Sequence, residues 1–243
     1  MKADLLITDP PYNVDYEGKT KDSLKIKNDS MSDSDFEDFL IYVFHNVEKA
    51  LKAGGAYYIW CVDNKIDIFM RAVKCNKLFH HETLIWNKNS FVLGHLDYHK
   101  KHEPCLYGWK EGAAHYFCDS RAESTVFDDI PSFKKMTKQQ VIDWVKEYIK
   151  PQAATSVIDA DRPCSNKVHP TMKPVKLIGY LIKNSSMEGD TVLDVFGGSG
   201  STMIACEQLK RNCRTMELDP KYCEVIIQRW EKLTGKKAEL IES

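Results

Sequence analysis

Short apolar runs alternate with amphipathic stretches along most of the chain. "ADLLITD" (3–9) is a compact apolar run with a sharp polar stop, which predicts a buried strand. "SDSDFEDFLIYVFHNVEKALKAGG" (32–55) has apolar residues at helical spacing and acids in its first turn, with Ser32 or Ser34 as N-cap. Gly54 and Gly55 are read as its stop. "AYYIWCV" (56–62) predicts the next buried strand, a helix follows from about Asn64 to Asn76, and "ETLIWNK" (82–88) reads as another strand. Alternation resumes after residue 168. "KPVKLIGYLIKNSSMEGD" (173–190) predicts a helix ending at Gly189, and "TVLDVF" (191–196) a strand. "GGSGSTMIACEQLKRN" (197–212) reads as a glycine turn into a helix, "CRTMELD" (213–219) as a strand and "PKYCEVIIQRWEKLTG" (220–235) as a helix. The expected fold is α/β: a doubly wound, mainly parallel, Rossmann-like sheet. Residues 89–168 break the pattern, apart from one helical stretch at 134–150, and read as an irregular insertion. Irregular spans of that length inside a domain usually carry function.

The strand in "LLITDPPYNV" (5–14) ends in a rigid step. Both prolines hold φ near −65° and lack an N–H, and Asp9, preceding proline, is pushed toward extended geometry. The Pro10 carbonyl is left as a free acceptor beside the Asp9 carboxylate, with the Tyr12 ring next to both. Two acceptors and one flat face suit a planar amine such as the exocyclic amine of adenine. Taking both of its hydrogens turns the nitrogen lone pair toward an electrophile.

"VLDVFGGSGST" (192–202) places Asp194 at the end of a strand, followed by Gly197, Gly198 and Gly200 before a helix. Glycines there let a ligand approach bare backbone, and a helix N-terminus offers unpaired N–H groups. Glu217 closes the following strand, where nucleotide-binding α/β folds grip ribose hydroxyls. The pattern is neither G-x-G-x-x-G nor a P-loop. An acid ahead of the turn repels a pyrophosphate and suits a cationic nucleoside; S-adenosyl-L-methionine has an ammonium, a sulfonium and an adenosine.

Composition changes this picture little. The 243 residues are 43% hydrophobic and 28% charged, the balance of a globular protein. No apolar run approaches the ~18 residues of a membrane span, and "MKADLLITDP" has no signal-peptide pattern. Eight cysteines without a C-x-x-C pair predict reduced thiols and a cytoplasmic setting. The net charge of −1 announces no nucleic-acid partner, although the middle third is mildly basic. His99, His102 and Cys105 lack a fourth ligand at usable spacing, so no metal is expected.

Taken together, the motifs resemble the β-class amino-methyltransferases of DNA, in which the catalytic tetrapeptide comes first and the cofactor half last. "TDPPYNVDYEG" (8–18) is similar to the catalytic segment, and "HPTMKPVKLIGYLI" (169–182) to the one that precedes the cofactor strand. "VLDVFGGSGST" resembles the cofactor loop, "MELDPKYC" (216–223) the ribose-binding strand end, and "HEPCLYGWKEG" (102–112) the start of target recognition, as in phage and prophage members. The resemblance implies methyl transfer from S-adenosyl-L-methionine, leaving S-adenosyl-L-homocysteine, to N6 of a flipped adenine in double-stranded DNA. Such a site-specific enzyme serves DNA methylation or restriction-modification.

By resemblance Asp9, Pro10, Pro11 and Tyr12 are catalytic. Asp194, Phe196, Gly197, Gly198, Ser199 and Glu217 bind the cofactor, with Thr171 and Lys173 near its methionine moiety. The implied division is a catalytic half (1–88), a target-recognition insertion (89–168) and a cofactor-binding half (169–243). Within the insertion His99, Lys100, Lys101, Tyr107 and Trp109 are the candidates for phosphate contact and base stacking. The polar loop 17–35 is placed to act as a lid over the base pocket. The family's Gly-Asp strand beside the cofactor's adenine has no counterpart ahead of Asp9. Either "KKAELIES" (236–243) supplies it, or a longer polypeptide does. No membrane partner is expected, and a homodimer is left open. The alternatives are cytosine-N4 methylation, methylation of a protein glutamine, against which the motif order argues, and a DNA-binding protein with an impaired cofactor site.

Overall fold

β1 (Ala3–Thr8) is the axis of the sheet: Leu5, Leu6 and Ile7 are buried on both faces and both edges are paired. The computed structural model describes residues 2–14, 29–92, 97, 99–118, 137, 139, 157–160 and 172–241. Seven strands form one sheet in the order β5-β3-β4-β2-β1-β6-β7. They are β1, β2 (Leu51–Trp60), β3 (Leu78–Val92), β4 (Lys100–Lys110), β5 (Val157–Ala160), β6 (Thr191–Asp194) and β7 (Asn212–Thr215). β1 pairs in parallel with β2 and β6, β6 with β7, and β3 with β5; β4 alone runs antiparallel, between β2 and β3.

Helices cover both faces, as the doubly wound expectation requires. α1 (Asp33–Ala50) and α2 (Ile66–Cys75) bury Phe36, Leu40, Phe44, Phe69 and Val73 against Leu6, Tyr57, Ile59 and Leu106. α3 (Val175–Ser185) and α4 (Ser201–Gln208) bury Leu177, Ile178, Leu181, Ala205 and Cys206 against Leu5, Ile7, Tyr58 and Trp60. α5 (Pro220–Thr234) starts at an Asp219 N-cap and ends at Gly235 in the left-handed region. None of the described helices is long and apolar enough to cross a membrane.

Several boundaries differ from the sequence reading. α1 stops at Ala50, because Leu51 is fully buried and pairs with Ala3 at the start of β2. Gly54 and Gly55 therefore lie inside β2, at a register shift, and not at a helix end. The helix 175–185 ends before Gly189. Residues 100–110, read as part of the irregular insertion, form a central strand of the sheet. Residues 236–241, offered as a substitute strand, are exposed and unpaired in the sheet, with Leu240 90% and Ile241 87% exposed. Most of the 17–35 loop and of the helical stretch 134–150 lies outside the described residues.

β1 leads through α1 to β2 on one side of the sheet, and β6 leads through α4 to β7 on the other. The connections diverge between β1 and β6, and ligands of open α/β sheets bind at such a divergence, beyond the strands' carboxyl ends.

Candidate functional site

Both motifs leave the sheet at that point. Because β1 and β6 pair as neighbours, Thr8 Oγ1 donates to Asp194 Oδ1 at 3.2 Å. A cavity of about 320 Å³ opens beyond them, with Asp9, Pro10, Pro11 and Tyr12 on its wall together with Asp194, Phe196, Gly197, Gly198, Ser199 and Glu217. Two segments about 185 residues apart in the chain thus share one cavity.

The tetrapeptide is held from three sides. Tyr12 OH donates to Asp9 Oδ1 at 2.7 Å, and its ring meets Phe69 edge-on at 6.4 Å. Asn13 sits in the left-handed region, at φ 55. Its side chain takes both backbone groups of Met31, accepting from the N–H at 2.6 Å and donating to the carbonyl at 3.0 Å. Its own N–H donates to Asp29 at 2.7 Å. Burial raises the Asp9 carboxyl above its ordinary value, in opposition to the nearby Lys173 ammonium. Burial, then the Asp9 charge, pushes the Tyr12 phenol far up, so it remains a donor.

Lys173, expected near the methionine moiety of the donor, lines the same cavity. Its backbone carbonyl accepts from Ser201 Oγ at 2.8 Å, beside the glycine turn. Its ammonium instead reaches the segment after β1, 2.6 Å from Asp9 Oδ2 and 3.2 Å from Tyr12 OH. It is also 3.1 Å from Glu103 Oε2, a charge contact and not an aligned hydrogen bond. Lys88 pairs with the other oxygen of Glu103. Burial would raise the Glu103 carboxyl, but Lys173 and Lys88 outweigh it and hold it at about 2. Thr171 lies outside the described residues.

In the turn after β6, the glycines are required by close approach. A Cβ on Gly197 would stand 2.5 Å from Thr215 Oγ1, and Gly198 and Gly200 have φ 52 and 79. Gly198 N–H donates to one Glu217 oxygen at 2.7 Å and Asp219 N–H to the other at 2.9 Å, so the turn orients the carboxylate. Arg229 of α5 donates to the Ser199 carbonyl. Asp194 is 4% exposed. Burial pushes its carboxyl up to about 7, in spite of hydrogen bonds from Thr202, the Phe196 N–H and Thr8.

Of the candidates for DNA contact, His99 and Lys101 are exposed near the start of β4, and Lys100 pairs with Asp63 at 2.5 Å. Two candidates are corrected. Tyr107 is 3% exposed and stacks on Tyr58 at 4.9 Å inside the core. Trp109 stacks on His115 at 3.9 Å, and pairs with Ala56 and Phe79 at the sheet end away from Asp9. Both belong to a strand and not to a loop, so packing partners take the ring faces that base stacking needs. Sequence reasoning missed Glu103, Lys88, Asn13 and Asp29. Only Asn13 carried a signal, since asparagine after a rigid turn tolerates the left-handed region.

Comparisons with known proteins agree with this geometry. The pattern of a family described as DNA methylase matches residues 3–229. The DNA adenine methyltransferase YhdJ of Escherichia coli (strain K12) is 26% identical over 247 residues, covering 98% of this chain and 79% of that protein. The type II methyltransferase M.HpaI of Haemophilus parainfluenzae is 25% identical, covering 93% and 67%. Among solved structures, an M1.HpyAVI–SAM complex aligns with a TM-score of 0.66 at 21% identity, over 95% of this chain and 89% of that one. The PvuII DNA methyltransferase (cytosine-N4-specific) aligns at 0.65 and 17%, over 94% and 79%. At those identities the structures speak for the fold.

Proposed function

The chain belongs to the DNA methylase family, and on that premise we propose that it transfers the methyl group of S-adenosyl-L-methionine to N6 of an adenine extruded from double-stranded DNA. The observation that carries the reading is the single cavity joining the Asp9–Tyr12 wall to the Asp194–Glu217 wall. The D-P-P-Y sequence and similarity to a protein named a DNA adenine methyltransferase support adenine as the base.

The residues present fit the donor. Asp194 is a buried carboxyl held near neutrality at about 7, and a cationic ligand beside it would favour its charged form. Glu217, oriented by the turn's own N–H groups, is placed to accept from ribose hydroxyls. Phe196 contributes an apolar wall, with Phe39 of α1 6.1 Å behind it. When bound, the donor supplies a methyl group on a positively charged sulfur.

Asp9 and the Pro10 carbonyl would accept the two hydrogens of the target amine, and the Tyr12 ring, fixed through its hydroxyl, would stack on the base. The nitrogen lone pair is then directed outward from the acceptors. An amine that gains a methyl group must shed one proton, and the Asp9 carboxylate, raised by burial, is a base beside it. Extruding the target costs a few kcal/mol. His99 and Lys101 are proposed to meet the DNA, with target recognition carried by the parts of residues 89–168 outside β3, β4 and β5. A homodimer and a segment ahead of β1 are finer parts of the same proposal.

The test is incubation with DNA and donor, followed by digestion to nucleosides and chromatography. N6-methyladenine is expected, formed on the order of 10²–10³ times more slowly by Asp9→Ala. N4-methylcytosine would replace the base assigned, and no methylated base at all would overturn the function.

A further inference from the structure

Lys88, Glu103, Lys173 and Asp9 form a row of alternating charge beside the cavity. They come from β3, β4, the segment before α3 and the end of β1. Glu103 lies opposite Trp86 in the β3–β4 ladder, which puts Lys88 diagonally across from it. Both ammonium groups rest over indole rings, Lys88 at 5.3 Å from Trp86 and Lys173 at 5.2 Å from Trp60. Each lysine is 6% exposed. Sequestering charges in this way is unfavourable compared with packing apolar side chains of the same volume, so stability alone is a poor reason for the row. It ends on Asp9 Oδ2, the oxygen that Tyr12 does not take.

We propose that Lys173 and Glu103 are positioning residues for methyl transfer. Glu103, anchored by Lys88, holds the Lys173 ammonium against Asp9 Oδ2, so that the carboxylate is fixed in one orientation when the amine arrives. Each carboxylate oxygen has two lone pairs. With Tyr12 on one oxygen and Lys173 on the other, one pair on each is left for substrate. The inference rests on the reading of Asp9 as the amine acceptor.

The groups that face Asp9 are Tyr12 from its own segment, Lys173, Glu103 with Lys88 behind it, Cys61 after β2, Cys105 on β4 and Asp194 at the end of β6. Burial pushes both thiols up, so they are neutral. Lys173 favours the ionised form of Asp9 and Glu103 disfavours it. Activity needs the ionised form, so it rises with pH through the Asp9 pKa. Lys173→Met therefore moves the acid limb of kcat to higher pH, and Glu103→Gln moves it to lower pH.

The experiment measures kcat and KM for DNA against pH in the wild type, Glu103→Gln, Lys173→Met and Lys173→Arg. A carbon-13 carboxyl titration of Asp9 by NMR, assigned with Asp9→Asn, accompanies it. The expected result is a kcat at least about tenfold lower in Glu103→Gln and Lys173→Met with KM nearly unchanged. The acid limbs move in opposite directions by roughly one unit, and Lys173→Arg restores the wild-type limb. Wild-type kcat with a wild-type limb in both variants, or shifts in the same direction, would overturn the proposal. If Lys173→Met does not fold, the downward shift in Glu103→Gln decides. The carboxyl titration separates the two readings. Unchanged Asp9 titration in the variants sinks the positioning role, whereas a wild type that methylates no DNA sinks the function.

Discussion

The Asp194 carboxyl, 4% exposed and pushed up to about 7 by burial, should make binding of the proposed donor pH-dependent. A ligand with a fixed positive charge binds the ionised form, so below pH 7 the carboxyl must first release its proton. Affinity should fall about tenfold per pH unit below 7 and level off above it. Calorimetry with S-adenosyl-L-methionine in the absence of DNA between pH 5.5 and 8 checks this, and Asp194→Asn should bind weakly with a flat profile. A wild-type affinity constant from pH 6 to 8 would remove Asp194 from ligand binding. The raised pKa also carries a sign for stability. The unfolded carboxyl ionises near pH 4, so the unliganded fold loses stability as pH rises from there to about 7, by up to on the order of 4 kcal/mol. Asp9 and Tyr12 were legible because adjacent prolines fix the backbone, and Asp194 because the glycines after it open conformations that other residues avoid. Glu103 and Lys88 were not, since their meaning comes from pairing across β3 and β4 and from a lysine far along the chain.

Among elements, the turn between β6 and α4 tolerates little. A methyl on Gly197 would meet Thr215 Oγ1 at 2.5 Å and Ile226 Cδ1 at 3.0 Å, forcing β6 away from β7 or α5. Gly197→Ala should destabilise the protein by about 1–3 kcal/mol, the usual cost of overpacking, and weaken donor binding through the displaced Gly198 N–H. Gly189→Ala is the control. Its Cβ would meet nothing within 4 Å, and only the φ of +86 opposes it, a strain of about 1 kcal/mol. Thermal melts of both should rank Gly197→Ala well below Gly189→Ala; equal midpoints would show that the turn relaxes. Glycine was also where the sequence misled. Gly54 and Gly55 read as a helix stop, yet Gly54, at φ +75, lies where a Cβ would be 2.4 Å from the Ala114 carbonyl. That contact between β2 and the chain after β4 has no local signature. The same holds for β4, whose apolar centre was hidden between charged and histidine-bearing ends.

For the whole molecule, alternation of strands and helices announced a parallel sheet, but strand order depends on long-range pairing and was not legible. Its consequence lies at the edge. Among the described residues β7 has β6 on one side and no strand on the other, and Met216 and Leu218, which line the cavity just beyond it, are 63% and 66% exposed. Residues 236–241 do not cover that edge. They leave Gly235 along α5, where Lys237 and Ala238 contact Glu231. Deleting 236–243 should therefore leave donor affinity unchanged. A strand added beside β7 would wall the cavity next to Glu217. Fused ahead of Lys2, it must pass β6 and β7, three strand spacings or about 14 Å from β1. To lie parallel to β7 it needs a crossover of roughly a dozen residues or more before β1. Such an extension, carrying a relative's Gly-Asp strand, should tighten S-adenosyl-L-homocysteine binding at least about tenfold, or 1.4 kcal/mol. Titration of the chain, the deletion and the extension distinguishes the cases. Loss of binding in the deletion would mean that the tail folds over the edge when ligand is present. An inert extension would mean that Met216, Leu218 and Phe196 already enclose the adenine without another strand.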